Sequence, residues 1–299
     1  MSNYKNSIAI IIPALDPDQR LVNLVKNLRE DDFRNILVVD DGSKEENQCY
    51  FQTCEEQYHC TVLHHGINFG KGIALKTAFS YILEECPEIK GAVTVDCDGQ
   101  HVLEDIGTCA RLTEEYPDHL TLGCRVFDDK SIPWRSRFGN KLTCKIISLL
   151  CGIHVSDTQT GLRGLPTPLI EKYFAKTKGE RFEYEMNMLI TANENMIPFK
   201  EFPIQTIYLE NNESSHFNPF LDSIRIYKVF LKFMLISMSS FIIDIALFTL
   251  LGIILRRWIP ASVPVFANFA FGGSLLTLLR TVISRLCSSL YNFFMNKNQ

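Results

Sequence analysis

Acidic residues are scarce in the last part of the sequence, although they are abundant before it. Residues 217–299 contain eight Lys or Arg but only two acidic side chains, Asp222 and Asp244, a local balance of +6. Because the whole chain has a formal charge of −4, residues 1–216 carry −10. We therefore predict an acidic, soluble part joined to a basic, apolar tail, and we expect no nucleic-acid partner.

Charge is also nearly absent from two long apolar runs in this tail. Phe233–Leu255 has 23 residues with Asp244 as its only charge, and about 20 apolar residues are enough for a helix to cross a bilayer. Ile259–Leu279 has no charge but contains two prolines and two glycines, so we predict a second span or a re-entrant segment. The alternative for both runs is a buried hairpin of a soluble domain.

A regular disulfide framework is missing, because the ten cysteines are spread unevenly along the chain. This distribution indicates a reducing compartment. The spacings between Cys49, Cys54 and Cys60, with His64 nearby, fit structural zinc sites poorly. The first residues, "MSNYKNS", run directly into a predicted strand, so no signal peptide is expected. We expect the soluble part in the cytoplasm, against the inner face of a membrane.

Strands and helices alternate along the first part of the chain. The stretch "SIAIIIP" (Ser7–Pro13) is a continuous apolar run, typical of a strand buried on both faces. Asp16 is predicted to cap the next helix, with Pro17 at its first position. Further predictions are strands at Asn35–Val39, near Cys60–Leu63 and ending at Asp96, and a helix from about Gly72 to Glu85. The alternation predicts an α/β fold with a mostly parallel sheet.

Five residues with binding potential follow or end the predicted strands. They are Pro13, Asp40, Asp41, Asp96 and Asp98. In open parallel sheets, ligands bind beyond the carboxyl ends of the strands. We therefore predict a binding site at this edge of the sheet.

Asp96 and Asp98 form a D-x-D pair in "TVDCDGQH". Carboxylate oxygens are the ligands that Mg²⁺ and Mn²⁺ prefer, usually together with phosphate oxygens of a substrate. A cation between the two residues would also offset their mutual repulsion. The pair predicts a divalent metal site, and the alternative is two solvated side chains on a turn.

Beyond about Lys200 the pattern changes from alternating elements to a polar loop and then to "PFLDSIRIYKVFLKF". This last stretch is predicted to be an amphipathic helix in the headgroup region, where its basic residues meet anionic lipid. A plain linker helix is the alternative. The predicted organisation is a catalytic domain at 1–216, an interface helix at 217–232 and a membrane region at 233–299, with spans at about 233–255 and 259–285.

Seven motifs occur in one order over roughly residues 5–230. They are "IIPALDPD", "VVDDGS", "NFGKGIALKTAF", "VDCDGQH", "GCR", "DTQTGLRG" and "RFEYE". Together they resemble the glycosyltransferase family 2 enzymes that load a sugar onto a polyprenyl phosphate, such as dolichol-phosphate mannose synthases and undecaprenyl-phosphate glucosyltransferases. The resemblance implies a GT-A-type, Rossmann-like nucleotide-binding fold. It also implies an interface helix and one or two transmembrane helices.

The resemblance assigns donor-binding roles to six positions. Nucleotide-sugar contacts are implied for Pro13, Asp40, Asp41, Lys71, Asp96 and Gln100. Asp96 and Asp98 would hold Mg²⁺ or Mn²⁺ against the diphosphate, and Asp98 is counted among the catalytic residues. Two alternatives stay open, because Lys71 could instead be a helix start and His101 could be either a ligand or a solvated turn residue. In "PALDPD", Leu15 and Pro17 replace an aromatic residue and an acid that are common in relatives.

Acceptor phosphate binding is implied for Arg125, Arg137 and Arg163, whose guanidinium forks suit an anion. Arg163 is also counted as catalytic, and Arg135 is expected at the surface. Asp157 occupies the family's position for a proposed catalytic base. Because a phosphate monoester is largely dianionic at neutral pH, the alternative is that Asp157 orients the sugar or an arginine.

Three residues and one stretch complete these predictions. Glu183 and Glu185 could contact sugar hydroxyls or pair with neighbours such as Arg181. The tail resembles the start of the small four-helix membrane proteins associated with polyprenyl-linked sugars. Asp244 lies in the middle of its apolar run, where an ionisable group is either functional or satisfied by a helix partner in an oligomer.

The function expected from the sequence is inverting, metal-dependent transfer of one hexose from a nucleotide sugar to a polyprenyl phosphate. UDP-glucose and undecaprenyl phosphate are favoured, by resemblance, and the site is expected on the cytoplasmic face of a bacterial inner membrane. A homo-oligomer is possible. The alternatives are transfer to a protein or glycan, and a non-catalytic membrane module that binds nucleotide sugar. The missing "QxxRW" motif argues against a processive synthase.

Overall fold

A computed structural model of the chain describes residues 4–126, 134–205, 221–258 and 275–297. The chain falls into two compact units, Met1–Ile226 and Tyr227–Gln299. The strands are β1 (Ile8–Ala14), β2 (Asn35–Asp40), β3 (Thr61–His64), β4 (Gly91–Thr94), β5 (Leu120–Arg125), β6 (Arg163–Pro166) and β7 (Phe199–Ile204). The helices of the first unit are α1 (Tyr4–Ser7), α2 (Gln19–Glu30), α3 (Gln48–Glu56), α4 (Lys71–Glu85), α5 (Leu103–Glu115), α6 (Trp134–Cys151), α7 (Thr167–Lys172) and α8 (Glu183–Glu194). Two longer helices follow, α9 (Leu221–Trp258) and α10 (Leu275–Lys297).

The described strands form one sheet in the order β3-β2-β1-β4-β6-β5-β7. The pairs β1–β2, β2–β3, β1–β4 and β5–β7 are parallel, whereas β6 runs antiparallel to β4 and β5. This arrangement confirms the predicted mostly parallel α/β fold. The parallel strands therefore end at one edge, and the antiparallel β6 begins there.

Burial explains why the first strands lack an alternating pattern. All seven residues of β1 are buried, because the strand is central in the sheet and helices cover both of its faces. On α2, the buried side chains repeat at helical spacing and pack into the core cluster with β1. They are Leu21, Val22, Leu24, Val25 and Leu28.

The predicted capping of α2 by Asp16 is wrong by two residues. Asp18 is the N-cap, and its carboxylate accepts a hydrogen bond of 2.9 Å from the backbone N–H of Arg20. Asp16 instead has φ of 44° and accepts hydrogen bonds from Lys44 N and Asn47 Nδ2, while its own N–H donates to Ser43 Oγ. Asp16 thus ties the loop after β1 to the loop after β2, a long-range role that local spacing does not reveal.

Replacement of Gly164 by alanine is expected to destabilise the first unit by about 1–3 kcal/mol, the usual cost of overpacking a core. Gly164 lies in β6, and an added Cβ would collide with Thr113 Oγ1 and come within 3.0 Å of Thr121 Cβ. Thermal unfolding of the two proteins measures the effect. Gly66→Ala is the matched control, because nothing lies within 4 Å of a Cβ there. An equal loss in both variants would contradict the explanation.

Polar contacts join α9 and α10 along a seam within the second unit. Ser240 Oγ donates to Ser288 O at 2.8 Å, and Arg285 Nε lies 3.2 Å from Asp244 Oδ2. Farther along α9, Arg280 Nη2 donates to the carbonyl oxygen of Phe248 at 2.8 Å. Asp244 therefore has an ionic partner in the same chain. Large apolar side chains are exposed elsewhere on both helices, among them Phe241, Ile242, Leu286, Leu290 and Phe293.

Among the described residues, one helical stretch, Met234–Leu255, is long and apolar enough to cross a membrane. It belongs to α9, which continues without a break from Leu221 to Trp258. Residues 217–220 of the predicted interface helix and 259–274 of the second apolar run lie outside the described residues. The boundaries 1–216, 217–232 and 233–299 therefore stay a prediction.

Candidate active site

The residues predicted to bind ligand meet at the edge where the parallel strands end. Asp40 closes β2, Arg125 closes β5, and Asp96 and Asp98 follow β4 on a turn. The loop before β6 reaches the same edge, because Thr94 Oγ1 donates to Gly161 O at 2.7 Å. Pro13 lies buried in β1, one residue before the strand ends.

Asp40 is buried at the end of β2, where one main-chain group and two side chains contact its carboxylate. Its carboxylate accepts from Ser43 N at 2.8 Å and Gln48 Nε2 at 2.9 Å, and His64 Nδ1 lies 3.0 Å away. Burial opposes ionisation of this group, but these hydrogen bonds outweigh it and lower the pKa of Asp40. Asp40 is therefore an ionised, oriented acceptor for N–H or O–H donors.

Asp41 supports the "NFGKG" loop through hydrogen bonds to its carboxylate. Its carboxylate accepts from the backbone N–H groups of Phe69 at 3.0 Å and Gly70 at 2.7 Å. His65 Nδ1 lies 2.9 Å from the same carboxylate, and its Nε2 lies 2.9 Å from Thr77 Oγ1. Because Gly70 has φ of 104°, the loop needs glycine there, and Asp41 fixes the backbone that leads into α4.

Lys71 is both the first residue of α4 and a member of the site. Its ammonium lies 2.7 Å from Asp96 Oδ1 and 2.9 Å from Glu185 Oε1, and its side chain is 13% exposed. Burial opposes the charged form, but the two carboxylates raise the pKa of Lys71 above its usual range. The helix start at Lys71 is confirmed, whereas its predicted phosphate or nucleotide contact stays a prediction.

The two carboxylates of the D-x-D pair have opposite electrostatic environments. Burial opposes ionisation of Asp96, but Lys71 and His101 hold its pKa below the usual range. Burial, and then the negative charge of Asp96, raise the pKa of Asp98. Gln100 N donates to Asp98 Oδ1 at 3.0 Å, and His101 Nε2 lies 3.8 Å from Asp96 Oδ2. Cation binding at Asp98 would relieve the repulsion that Asp96 imposes.

A divalent cation fits this pair by donor chemistry. Both ligands are hard carboxylate oxygens, as Mg²⁺ and Mn²⁺ prefer. Within the described parts of the chain there is no cluster of three or more metal-ligating side chains. An ion at Asp96 and Asp98 would therefore complete its coordination with water or, when a diphosphate is bound, with substrate oxygen atoms.

Gly161 is a site residue that sequence reasoning did not single out. A Cβ at this position would collide with the Asp96 carboxylate. Gly161 lies in the motif "DTQTGLRG", which the sequence shows, but the sequence does not show that Asp96 lies beside it. Only the absence of a side chain allows the loop before β6 to lie against Asp96.

Asp157 and Arg125 form a bidentate ion pair. Arg125 Nε and Nη2 lie 2.6 Å and 3.0 Å from the two carboxylate oxygens of Asp157, whose side chain is fully buried. The N–H of Gln159 also donates to Asp157 at 3.0 Å. In this arrangement Asp157 holds an arginine, which was one of the alternatives for this residue.

Arg125 also borders a cavity of about 530 Å³ between β5, α6 and β7. The cavity lining includes Cys124, Arg125, Lys141, Cys144, Ser156 and Glu201. Glu201 is fixed by hydrogen bonds of 2.7 Å and 2.8 Å from Ser156 N and Oγ. The described lining therefore combines charged side chains of both signs with thiol and apolar surface.

Arg163 is fully buried and donates to main-chain carbonyls. Its guanidinium donates to Thr160 O at 2.9 Å, Glu185 O at 2.5 Å and Thr158 O at 3.4 Å. Burial lowers the pKa of Arg163, and nearby Glu185 and Asp157 partly offset this effect. Arg163 thus links the loop before β6 to α8. Its predicted catalytic and phosphate-binding roles stay predictions.

The remaining predicted residues have separate positions. Glu183 accepts hydrogen bonds from Glu180 N and Arg181 N at the start of α8. Arg181 Nη1 donates to Asn68 Oδ1 at 3.2 Å, so "RFEYE" packs on the "NFGKG" loop. Arg137 belongs to α6, but its side chain and that of Arg135 lie outside the described residues.

Two known proteins are similar in sequence over most of their length. An uncharacterised protein from Methanocaldococcus jannaschii is 32% identical over 215 residues, which are 70% of this chain and 85% of that protein. A UDP-N-acetylglucosamine–dolichyl-phosphate N-acetylglucosaminyltransferase from Methanococcus voltae is 28% identical over 249 residues, or 78% of this chain and 97% of that protein.

Two solved structures share the fold at low sequence identity. Mannosyl-3-phosphoglycerate synthase from Rubrobacter xylanophilus matches with a TM-score of 0.57, at 11% identity over 89% of this chain and 84% of that one. Glucosyl-3-phosphoglycerate synthase from Mycobacterium tuberculosis, crystallised with Mn²⁺, UDP and glucosyl-3-phosphoglycerate, matches with a TM-score of 0.55 at 13% identity. That match covers 77% of this chain and 79% of the other. The predicted GT-A-type fold is thereby confirmed.

The family profile of glycosyl transferase family 2 matches residues 9–174. This range contains both strand-end aspartate motifs, the "NFGKG" loop and the Arg125–Asp157 pair. The predicted family and the predicted enzyme class are confirmed. The chain belongs to glycosyl transferase family 2 and is a glycosyltransferase.

Proposed function

We propose that this glycosyltransferase moves one sugar from a UDP-sugar to the phosphate of a polyprenyl lipid, at the cytoplasmic face of a membrane. The observation that carries the proposal is a group of charged residues at the strand ends. Asp41 holds the loop that leads to Lys71, and Lys71 pairs with Asp96. At the end of β5, Arg125 pairs with Asp157 beside the cavity. A donor at one end and an anionic acceptor at the other would meet at the D-x-D turn.

The donor end suits a nucleotide diphosphate. Asp40 is ionised and oriented, so it can accept from ribose hydroxyls or a base N–H. Asp96 and Asp98 would hold Mg²⁺ or Mn²⁺, and this ion would neutralise the charge that develops on the leaving diphosphate. Lys71, whose ammonium lies 2.7 Å from Asp96 Oδ1, would be near the same phosphates.

The acceptor end suits a phosphate on a lipid. Arg125 presents a cationic fork whose position Asp157 fixes, and the adjoining cavity is partly apolar. A phosphate there needs little deprotonation at neutral pH, so Asp157 acts by orienting Arg125. Attack of the phosphate oxygen on the anomeric carbon forms the new C–O bond as the bond to the diphosphate breaks, which inverts the configuration.

The membrane location rests on the span candidate Met234–Leu255 and on the acceptor named for the Methanococcus voltae relative. The resemblance of the motifs favours UDP-glucose and undecaprenyl phosphate. The name of that relative favours UDP-N-acetylglucosamine and dolichyl phosphate as a second pair. Both pairs use the same chemistry at the sites described above.

Transfer of radiolabel into organic-extractable lipid tests the proposal. Membranes carrying the full chain are given each of several UDP- and GDP-sugars, with undecaprenyl or dolichyl phosphate and with Mg²⁺ or Mn²⁺. We expect label in the lipid phase with one UDP-sugar, and loss of that label with EDTA. Label that instead enters protein or water-soluble glycan, with none in lipid, would refute the lipid acceptor.

A further inference from the structure

The ion pair between Lys71 and Asp96 places a resident cation where a metal ion is expected. The ammonium lies 2.7 Å from Asp96 Oδ1, within an ordinary charged hydrogen bond. One side of the same carboxylate is closed by Gly161, and the other oxygen faces His101 at 3.8 Å. An ion that used the Asp96 Oδ1 lone pair to which Lys71 donates would have to displace Lys71.

Glu185 offers Lys71 a second anionic partner at 2.9 Å. Its main chain is anchored, because Glu185 O accepts from Arg163 Nη1. The backbone of the loop before Lys71 is anchored as well, through the two hydrogen bonds from Phe69 and Gly70 to Asp41. With both backbones held, the exchange would move the flexible four-carbon stem of Lys71, and lysine is the cationic side chain suited to such a change of partner.

We propose that Lys71 occupies Asp96 in the metal-free enzyme and is handed to Glu185 when a divalent cation binds. Glu185 is then a positioning residue for metal binding, not a sugar contact. Lys71 has a carboxylate partner in both states. The proposal rests on the proposed function in one respect, namely that Asp96 is a metal ligand.

Mn²⁺ affinity of the substrate-free full chain in detergent tests the exchange, with free Mn²⁺ measured by electron paramagnetic resonance. Removal of the competitor in Lys71→Met is expected to tighten Mn²⁺ binding about tenfold. Glu185→Gln is expected to weaken it about fivefold, because Lys71 then has Asp96 alone. Lys26→Met, at an exposed position of α2, is the matched control and should leave the affinity unchanged.

The double variant separates partner exchange from simple electrostatics. If Glu185 acts through Lys71, Glu185→Gln should change the affinity less than twofold in the Lys71→Met background. An equal fivefold loss in both backgrounds would mean that Glu185 only adds negative charge, and it would overturn the proposal. So would unchanged or weaker binding in Lys71→Met. The double variant also removes the charges of Lys71 and Glu185 together, so it is expected to disturb folding less than either single variant.

A separate variant tests the assumption that Asp96 is a metal ligand. Asp96→Asn should abolish Mn²⁺ binding if Asp96 is a ligand. Unchanged Mn²⁺ affinity in Asp96→Asn would refute the metal site of the proposed function, and the exchange with it. Loss of binding in Asp96→Asn, together with no gain in Lys71→Met, would refute the exchange alone.

Discussion

Replacement of Asp98 by alanine is expected to reduce the rate of sugar transfer by about 1,000-fold or more. Asp98 would hold a divalent cation against the leaving diphosphate, and such charge stabilisation contributes several kcal/mol, at tenfold in rate per 1.36 kcal/mol. The measurement is transfer of label from the active UDP-sugar into extractable lipid, at saturating Mg²⁺ or Mn²⁺.

The side chain of Asp118 provides the matched control for this loss. It is 77% exposed, pairs with His119 and precedes β5, at the end of that strand opposite to Arg125, so Asp118→Ala removes an aspartate outside the candidate site. We expect that variant to keep wild-type activity. An Asp98→Ala enzyme that retained more than a tenth of the wild-type rate would argue against a metal held by the D-x-D pair.

Loss of either partner of the Arg125–Asp157 pair is expected to slow transfer by about 30-fold to several thousand-fold. Truncation of one member of a buried, hydrogen-bonded charge pair costs about 2–5 kcal/mol, and the side chain of Asp157 is fully buried. The KM for the lipid phosphate should rise in Arg125→Ala and in Asp157→Asn, since both lose the oriented guanidinium. Steady-state kinetics at several lipid concentrations measure the effect.

The double variant distinguishes orientation from base catalysis. If Asp157 acts only through Arg125, then Arg125→Ala combined with Asp157→Asn should be no slower than the worse single variant. A base with its own role would make the two losses multiply. Arg125→Lys is a further control, because it keeps the charge but loses the bidentate fork, and only partial recovery is expected.

The strand-end location of the site was predictable because it depends on local chain properties. Apolar runs followed by carboxylates mark buried strands and the edge at which they end, and the order of the seven motifs identified the family. The β6 strand was not predicted, because "RGLP" is short and its pairing partners lie far away in sequence.

Side-chain partners were not predictable, because they depend on distances between loops. Asp41 and Asp40 are adjacent in "VVDDGS", yet one holds the "NFGKG" loop and the other faces His64 and Gln48. Arg163 is in a motif that suggested phosphate binding, yet it donates to main-chain carbonyls inside the protein. A residue type and a spacing restrict the possible chemistry, whereas the fold selects the partner.

The polar seam between α9 and α10 has a consequence for membrane topology. Ser239, early in α9, contacts Tyr291, which is late in α10. Phe248, later in α9, contacts Arg280, which is earlier in α10. The two helices are therefore antiparallel. If Met234–Leu255 crosses the bilayer, the start of this span and the end of α10 face the same compartment, so a reporter attached beyond α10 would reveal on which side the span begins.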